Sequence, residues 1–245
     1  MRGQHSNPKN VLLIGNGQVG SALAGLISRH HNLTVMDAEA TSAKGGMFDV
    51  MHICFPYTDK FVDLVCGYIT KFNPTLTLIE STVIPETTKQ IFARNPTREI
   101  CHSPVRGCHS SLPWGVKTYT KFVGPCTLKA GLNAERYYRN MNLKTRLCKS
   151  STETELAKLL NLSYYASQIA FFQELERKVK HYGACLDDVN DFIGTTTDDS
   201  NGTVVRPILK SGYIGGTCVM QGLEKIFGGE MLYLWIKGSN DKEAP

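Results

Sequence analysis

The sequence predicts an α/β fold in which a doubly wound parallel sheet is followed by a long helix and a small helical domain. Three observations support this prediction. Short apolar runs alternate with helical stretches through the first 150 residues, as in parallel sheets covered on both faces. A glycine-rich turn, from Gly15 to Gly20, separates the first apolar run from the first helical stretch. From residue 151 to 181 no Gly or Pro interrupts the chain, which favours one helix of roughly 45 Å.

The predicted strands and helices follow one another in a regular order. The strand candidates are short and rich in branched apolar residues, and they span residues 11–14, 33–36, 50–55 and 76–79. The helix candidates have apolar residues at helical spacing, and they span residues 21–29, 57–71 and 86–93. Because the strand candidates end at polar or turn residues, we expect ligand-binding loops at the carboxyl edge of the sheet.

The pattern changes near residue 150, so we predict two domains, 1–150 and 151–245. Thr152 and Glu155 have the spacing of a capping box, which predicts the start of the long helix. Gly183 provides a stop signal at its other end. The second domain is therefore expected to be helical and led by this long helix.

Composition narrows the possible functions. The chain has 245 residues and a formal charge of +5. Its basic residues are scattered, which suits an anionic small molecule but argues against nucleic acid. No apolar run is long enough to span a membrane, and residues 1–10 lack the apolar stretch of a secretion signal. The eight cysteines include no C-x-x-C pair, so we expect reduced thiols, no metal site and a cytoplasmic location.

The glycine turn has the context of a dinucleotide-binding fingerprint. Gly15, Gly17 and Gly20 form a G-x-G-x-x-G pattern between a strand and a helix, and Asp37 ends the next strand. In a Rossmann-like sheet these glycines permit a tight turn, the approach of a pyrophosphate and close helix packing. Asp37 would accept hydrogen bonds from ribose hydroxyls and repel a 2′-phosphate. We therefore predict NAD rather than NADP, with an ordinary glycine-rich turn as the alternative.

Further motifs follow along the chain. They are ICFP at 53–56, ESTVIPETT at 80–88, HSP at 102–104, KFVGP at 121–125, ELAKL at 155–159 and GYIGGTC at 212–218. With the glycine turn, these seven motifs make residues 10–228 resemble the nucleotide-sugar dehydrogenases of the UDP-glucose and GDP-mannose type. That family oxidises a primary alcohol of a sugar to a carboxylate in two NAD-dependent steps. The resemblance therefore implies a sugar or sugar-nucleotide substrate and a homodimer formed through the long helix.

The resemblance also implies roles for individual residues. Cys218 is implied to be the nucleophile that captures the intermediate aldehyde, at a helix start, where thiols are activated. Lys158 is implied to stabilise oxyanion charge, and Thr82 to lie between the nicotinamide and the catalytic water. Asn161 lies next to the position of a catalytic asparagine of the family. The residues implied to bind the cofactor are Gly15, Gly17, Gln18, Val19, Gly20, Asp37, Pro56 and Ser81.

Several positions depart from the family's pattern. The residues Val105, His109, Leu162 and Gly222 occupy positions where the family has acidic residues or asparagine. Because carboxylates activate water and move protons, their loss affects thioester hydrolysis most. His109 is either an exposed loop histidine, the favoured interpretation, or a replacement base. About 27 residues follow Cys218, fewer than the family's third, nucleotide-binding domain requires.

Three hypotheses remain open from the sequence. The first is an NAD-dependent dehydrogenase that oxidises a sugar or sugar nucleotide through a cysteine-bound intermediate. The second is a one-step dehydrogenase of the hydroxyacid or phosphogluconate type, which needs Lys158 but not Cys218. The third is a catalytically impaired protein that binds NAD and has a regulatory or scaffold role.

Overall fold

The computed structural model describes residues 7–37, 47–107, 109–215 and 217–244, without the side chains of His109, Thr217 and Cys218. The chain divides into two compact units, Met1–Lys158 and Leu159–Pro245. Of the helices in this described part, none has the length and apolarity needed to cross a membrane.

The first unit alternates strands and helices, which confirms the predicted α/β fold class. Its strands are β1 (Asn10–Ile14), β2 (Asn32–Met36), β3 (Val50–Ile53), β4 (Leu76–Ile79), β5 (Glu99–His102), β6 (Lys121–Pro125) and β7 (Thr145–Leu147). Its helices are α1 (Gln18–Ile27), α2 (Phe61–Phe72), α3 (Thr87–Arg94), α4 (Leu112–Thr118) and α5 (Leu128–Asn140).

The seven strands form one sheet with the order β2-β1-β3-β4-β5-β6-β7. Every described neighbouring pair is parallel except β5 and β6, which are antiparallel. The sheet is therefore mostly parallel, as predicted, and β6 and β7 run opposite to the other five strands. The short helix α4 does not carry the chain back across the sheet: Lys121, the first residue of β6, bonds to the Ser103 carbonyl just beyond the end of β5.

Helices cover both faces of the sheet, as the doubly wound prediction requires. On one face α1, α4 and α5 bury a cluster that includes Leu13, Leu78 and Tyr138. On the other face α2 and α3 bury a cluster that includes Phe61 and Ile91. Because β1, β3 and β4 are buried on both faces, their sequences are mostly apolar rather than alternating, with His52 and Thr77 as buried polar residues.

The long helix α6 spans Ser151–His181, with 31 residues, as predicted. The side-chain pair at its start differs from the predicted capping box. The Ser150 hydroxyl donates to the Glu153 carboxylate at 2.5 Å, two residues earlier than the Thr152–Glu155 pair. Thr152 and Glu155 are used in tertiary contacts instead, because both face the loop before α3.

The second unit is helical and contains the rest of α6 with α7 (Leu186–Asp199), α8 (Thr217–Phe227) and α9 (Met231–Asp241). Its small core consists of Ala166, Ala170, Ile214, Leu223 and Ile236. Gly183 ends α6 in a left-handed conformation, with φ of 64°. The Gly183 amide donates to Lys180 and the Ala184 amide to Val179, both at 3.1 Å, which confirms the predicted C-terminal stop.

Candidate active site

The glycine turn lies at the carboxyl end of β1, where its backbone is held against two neighbouring strands. Gly15 has φ of 97°, and its amide donates to the Met36 carbonyl at 2.8 Å. A Cβ at Gly15 would lie 2.9 Å from backbone atoms of Cys54 and Phe55. The tight turn predicted at this residue therefore has two physical reasons, a left-handed backbone and a neighbouring strand without room for a side chain.

The start of α1 leaves room for a ligand. Gly17 precedes the helix without a side-chain cap, and a Cβ built on it would meet nothing within 4 Å. In contrast, a Cβ on Gly20 would overlap the Gly15 carbonyl oxygen, so this glycine allows the helix to approach the turn. An open helix N-terminus over a closely packed turn fits a pyrophosphate, because the backbone amides there point outward.

The other residues implied to contact the cofactor surround this turn. Gln18 and Asp37 are exposed, and Asp37 directly follows β2 at the same edge of the sheet. The partly buried Val19 side chain packs against the core cluster, and its backbone belongs to the first turn of α1. Asp37 already has an interaction within the protein, and residues 38–46 lie outside the described residues.

The loops after β3 and β4 are joined by Ser81. Its buried hydroxyl donates toward the carbonyl oxygens of Phe55, at 2.6 Å, and Ile53, at 3.2 Å. Pro56 is exposed and Thr82 is half-buried next to this junction. Since the Ser81 proton is used inside the protein, Ser81 fixes the shape of the turn that carries Thr82.

Lys158 lies near the start of α6 and points at the loop after β5. Its ammonium group donates to the Val105 carbonyl at 2.9 Å. Three residues earlier, the buried Glu155 carboxylate accepts the amides of Glu86 and Thr88 and the Thr88 hydroxyl, at 2.6 to 2.8 Å. Burial raises the pKa of Glu155, although these hydrogen bonds oppose the rise. The carboxylate of Glu155 thus supplies the N-terminal cap of α3 from another helix.

A buried polar network, which the sequence analysis missed, lies behind these loops. The Glu80 carboxylate forms an ion pair with Lys121, accepts from the Tyr138 hydroxyl at 2.7 Å and lies 2.9 Å from His52 Nδ1. Lys121 also donates to the Ser103 carbonyl at 2.6 Å. Burial alone raises the pKa of Glu80, but the Lys121 charge and the His52 hydrogen bond outweigh it and lower the pKa to about 2.

The only sequence signal for this network was a charged residue inside an apolar pattern. Glu80 directly follows four buried residues of β4 and Lys121 opens β6. Two opposite charges at buried positions of different strands indicate pairing. Which strands are neighbours was not available from the sequence, so the pair could not be assigned.

The implied residues in the second unit are only partly described. Cys218 is the second residue of α8, but its side chain lies outside the described part, as does that of His109. Asn161 is exposed on α6. A Cβ at Gly222 would lie 3.1 Å from Leu159 and 3.8 Å from Leu162. Two positions that are polar in the resembled family, Leu162 and Gly222, therefore pack together as an apolar contact.

Solved structures of known proteins share this fold. The chain is similar to a UDP-D-ManNAc dehydrogenase from Pyrococcus horikoshii, with a TM-score of 0.78, 15% identity, and coverage of 96% of this chain and 68% of that one. It is similar to a UDP-glucose dehydrogenase from Pyrobaculum islandicum, with a TM-score of 0.77, 17% identity, and coverage of 99% and 70%. It is also similar to a 3-hydroxyisobutyrate dehydrogenase from Mycobacterium tuberculosis, with a TM-score of 0.70, 15% identity, and coverage of 96% and 92%.

These likenesses establish a Rossmann-like α/β fold. No family model matches the sequence, and no curated protein matches it either. Nucleotide-sugar dehydrogenases, which the motifs resemble, are therefore similar to this chain in structure but not detectably in sequence. The chain spans 68 to 70% of the length of the two nucleotide-sugar dehydrogenases named above.

The buried ion pair predicts a strong, non-additive effect on stability. We expect Glu80→Gln or Lys121→Met alone to lower the free energy of unfolding by about 3 to 5 kcal/mol, because each leaves a buried charge without its partner. The double variant should lose much less than the sum of the two. Urea unfolding measures all three free energies. Asp63→Asn, which removes the exposed partner of Arg94, is the control and should leave the free energy of unfolding almost unchanged, because water screens a surface ion pair.

The same pair predicts a stability that depends on acid. Because the pKa of Glu80 is lowered to about 2 in the folded protein, the unfolded chain takes up the proton first. The contribution of Glu80 to stability should be complete above about pH 4.5 and disappear as the pH falls toward 2. Glu80→Gln should remove this part of the pH dependence. Equal urea midpoints for Glu80→Gln and Asp63→Asn at pH 7 would contradict the assignment.

Proposed function

We propose that the protein is an NAD-dependent dehydrogenase that oxidises an alcohol carbon of a sugar or sugar nucleotide. The observation that supports it best is the placement of Lys158, whose ammonium is held by the Val105 carbonyl in the loop after β5. This loop lies at the same carboxyl edge of the sheet as the glycine turn at the start of α1. In open α/β sheets, ligands bind at this edge.

Different residues of the chain have different roles in the proposed reaction. The turn at Gly15 and Gly17 would take the pyrophosphate, and Asp37 would take the adenosine ribose. When bound, the cofactor supplies the hydride acceptor. Lys158 would stabilise negative charge on the substrate oxygen as the alcohol becomes a carbonyl, because an ammonium held in a fixed position needs no reorganisation during the reaction.

For the finer step, we propose that Cys218 captures the aldehyde. Its thiolate would add to the carbonyl carbon to form a thiohemiacetal, whose oxidation by a second NAD gives a thioester. Water would then release the carboxylic acid and the thiol. Cys218 lies in the first turn of α8, where the helix dipole favours a thiolate.

One observation favours a second candidate, a one-step hydroxyacid dehydrogenase. The apolar contact of Gly222 with Leu159 and Leu162 occupies positions that are polar in the resembled family, so polar groups expected to assist the cysteine steps are absent there. This chain also covers 92% of the 3-hydroxyisobutyrate dehydrogenase structure. In that case Lys158 would act on a single oxidation and Cys218 would have no role.

Cofactor selection gives the first prediction. We expect Asp37→Asn to weaken NADH binding by about tenfold, because a charge-assisted hydrogen bond to the ribose is lost, and to reduce the preference for NADH over NADPH. Fluorescence titration with both cofactors measures this. Asp187→Asn, in the exposed first turn of α7, is the matched control. Unchanged affinities for both cofactors in Asp37→Asn would remove Asp37 from the site.

The two catalytic candidates give the second prediction. With NAD and a panel of sugar nucleotides, we expect Lys158→Ala to lower NADH formation by about 100-fold or more, and Cys218→Ser to abolish acid formation. Absorbance at the NADH band and product analysis give the two readouts, and the exposed Lys178 on the same helix provides the control variant Lys178→Ala.

The other hypotheses give different results in that experiment. If NADH forms from a hydroxy acid, and Cys218→Ser is as active as the unmodified protein, the one-step candidate is correct. If NAD binds but none of the sugar nucleotides or hydroxy acids yields NADH, the protein is a cofactor-binding scaffold and the dehydrogenase proposal is wrong.

We also propose a homodimer formed through α6. Leu160, Tyr164 and Phe171 are exposed on one side of this helix, by 44%, 64% and 52%, at spacings of four and seven residues. We expect sedimentation at micromolar concentration to give a dimer, and Tyr164→Glu with Phe171→Glu to give a monomer. Phe192→Glu, at an exposed position of α7, should leave the dimer intact. A monomeric unmodified protein would contradict this proposal.

A further inference from the structure

A buried histidine joins the turn that carries Thr82 to the helix that carries Lys158. His102 is the last residue of β5, and its side chain is fully buried. Its Nε2 lies 3.1 Å from the Ser81 carbonyl oxygen, and its Nδ1 lies 2.8 Å from Thr154 Oγ1. Resting on the proposed function, we propose that His102 and Thr154 are a positioning pair that sets Lys158 relative to the cofactor-side turn at Thr82.

The partners of His102 fix where its proton lies. A carbonyl oxygen can only accept, so Nε2 carries the hydrogen and donates to Ser81. Nδ1 then has a lone pair, and the Thr154 hydroxyl must donate to it. The Ser151 carbonyl lies 2.9 Å from the same hydroxyl, but the single proton of Thr154 is needed by Nδ1, which has no other partner among the described residues.

His102 stays neutral, so it does not act as an acid or base in the reaction. Burial lowers the pKa of His102 to about 3, and the charges of Lys121 and Lys158 add to this effect, while the Ser81 hydrogen bond and Glu80 oppose it. Both ring nitrogens already have partners inside the protein. The remaining role for the side chain is a geometric one.

On the helix side, the bridge reaches Lys158 within one turn. Thr154 and Lys158 are four residues apart on α6 and therefore lie on the same side of the helix. The helix approaches β6 closely at this point, since a Cβ at Gly124 would overlap Thr154 Oγ1 and lie 2.6 Å from the Ser150 carbonyl. The first two turns of α6 are thus held by His102, by the cap that Glu155 provides for α3, and by Val105.

On the cofactor side, the bridge reaches the peptide of Thr82. The Ser81 carbonyl belongs to the peptide bond between Ser81 and Thr82, so the hydrogen bond from His102 orients that peptide. The Ser81 hydroxyl holds the same turn to the Phe55 carbonyl. A continuous series of hydrogen bonds therefore links the loop after β3, the turn after β4 and the start of α6.

The test compares two hydroxyls of one helical turn. Thr154→Val removes the hydroxyl with little change in volume, and Thr154→Ser keeps it. We expect Thr154→Val to lower kcat at least tenfold while the KM for NAD changes less than twofold, and Thr154→Ser to stay within threefold of the unmodified protein. Thr152→Val is the control, because the Thr152 hydroxyl donates to the surface residue Glu86; its kcat should not change.

Two readouts do not depend on activity. Limiting reductive methylation, followed by mass spectrometry, gives the reactivity of Lys158 relative to Lys178; we expect this ratio to rise at least threefold in Thr154→Val and to stay constant in Thr152→Val. In the unmodified protein, ring ¹⁵N shifts should show His102 with its proton on Nε2 and without titration between pH 8 and 5. The ¹⁵N measurement remains decisive if Thr154→Val does not fold.

The outcomes separate the two proposals. If the unmodified protein reduces no NAD with any substrate, the proposed function fails, and the Lys158 reactivity ratio then decides the positioning proposal. A Lys158 ratio and a kcat that are both unchanged in Thr154→Val overturn the positioning proposal. A His102 that titrates near pH 6.5, or carries its proton on Nδ1, overturns it as well.

Discussion

The carboxyl edge of the sheet depends on one buried charge, the carboxylate of Glu80. A carboxylate that is buried away from water stays ionised only when cations and hydrogen-bond donors surround it. Around Glu80, these groups are Lys121, His52 and Tyr138. These groups come from β6, β3 and α5, so the ionisation of one side chain fixes the relative positions of three elements. Lys121 extends the constraint to the Ser103 carbonyl, and with it to the loop that receives Lys158.

The first two turns of α6 connect further elements to the sheet. Glu155 provides from α6 the cap that α3 lacks in its own sequence, and His102 connects Thr154 to the turn after β4. In each case a buried polar side chain of one element forms the hydrogen bonds that backbone amides or a side chain of another element would otherwise lack. The start of α6, residues 151–158, is thus held to the sheet by directional hydrogen bonds, which specify distances more narrowly than apolar packing does.

Two of the four departures from the nucleotide-sugar dehydrogenase pattern, Leu162 and Gly222, lie together in the second unit. Leu162 and Gly222 face each other, and the space that a larger residue at 222 needs is filled by Leu159 and Leu162. Because Leu159 and Leu162 bring only apolar side-chain atoms to Gly222, this contact needs no hydrogen-bond partner and is compatible with a stable core. In the first unit, the glycine turn and Asp37 lie at the carboxyl edge of the sheet, as the motif predicts.

The sequence by itself determined the α/β class, the glycine turn, the length of α6 and its stop at Gly183, because these features depend on local spacing and on backbone conformations that few residues adopt. Only the tertiary structure decided the direction of β6, the use of Thr152 and Glu155 outside their own helix, and the network around Glu80 and His102. Those features join residues 18 to 85 positions apart in the chain, and a hydrogen bond between distant segments leaves no periodic trace in either of them. The candidate site therefore combines a glycine turn that six consecutive residues predict with a hydrogen-bond network that forms only when distant segments come together in the fold.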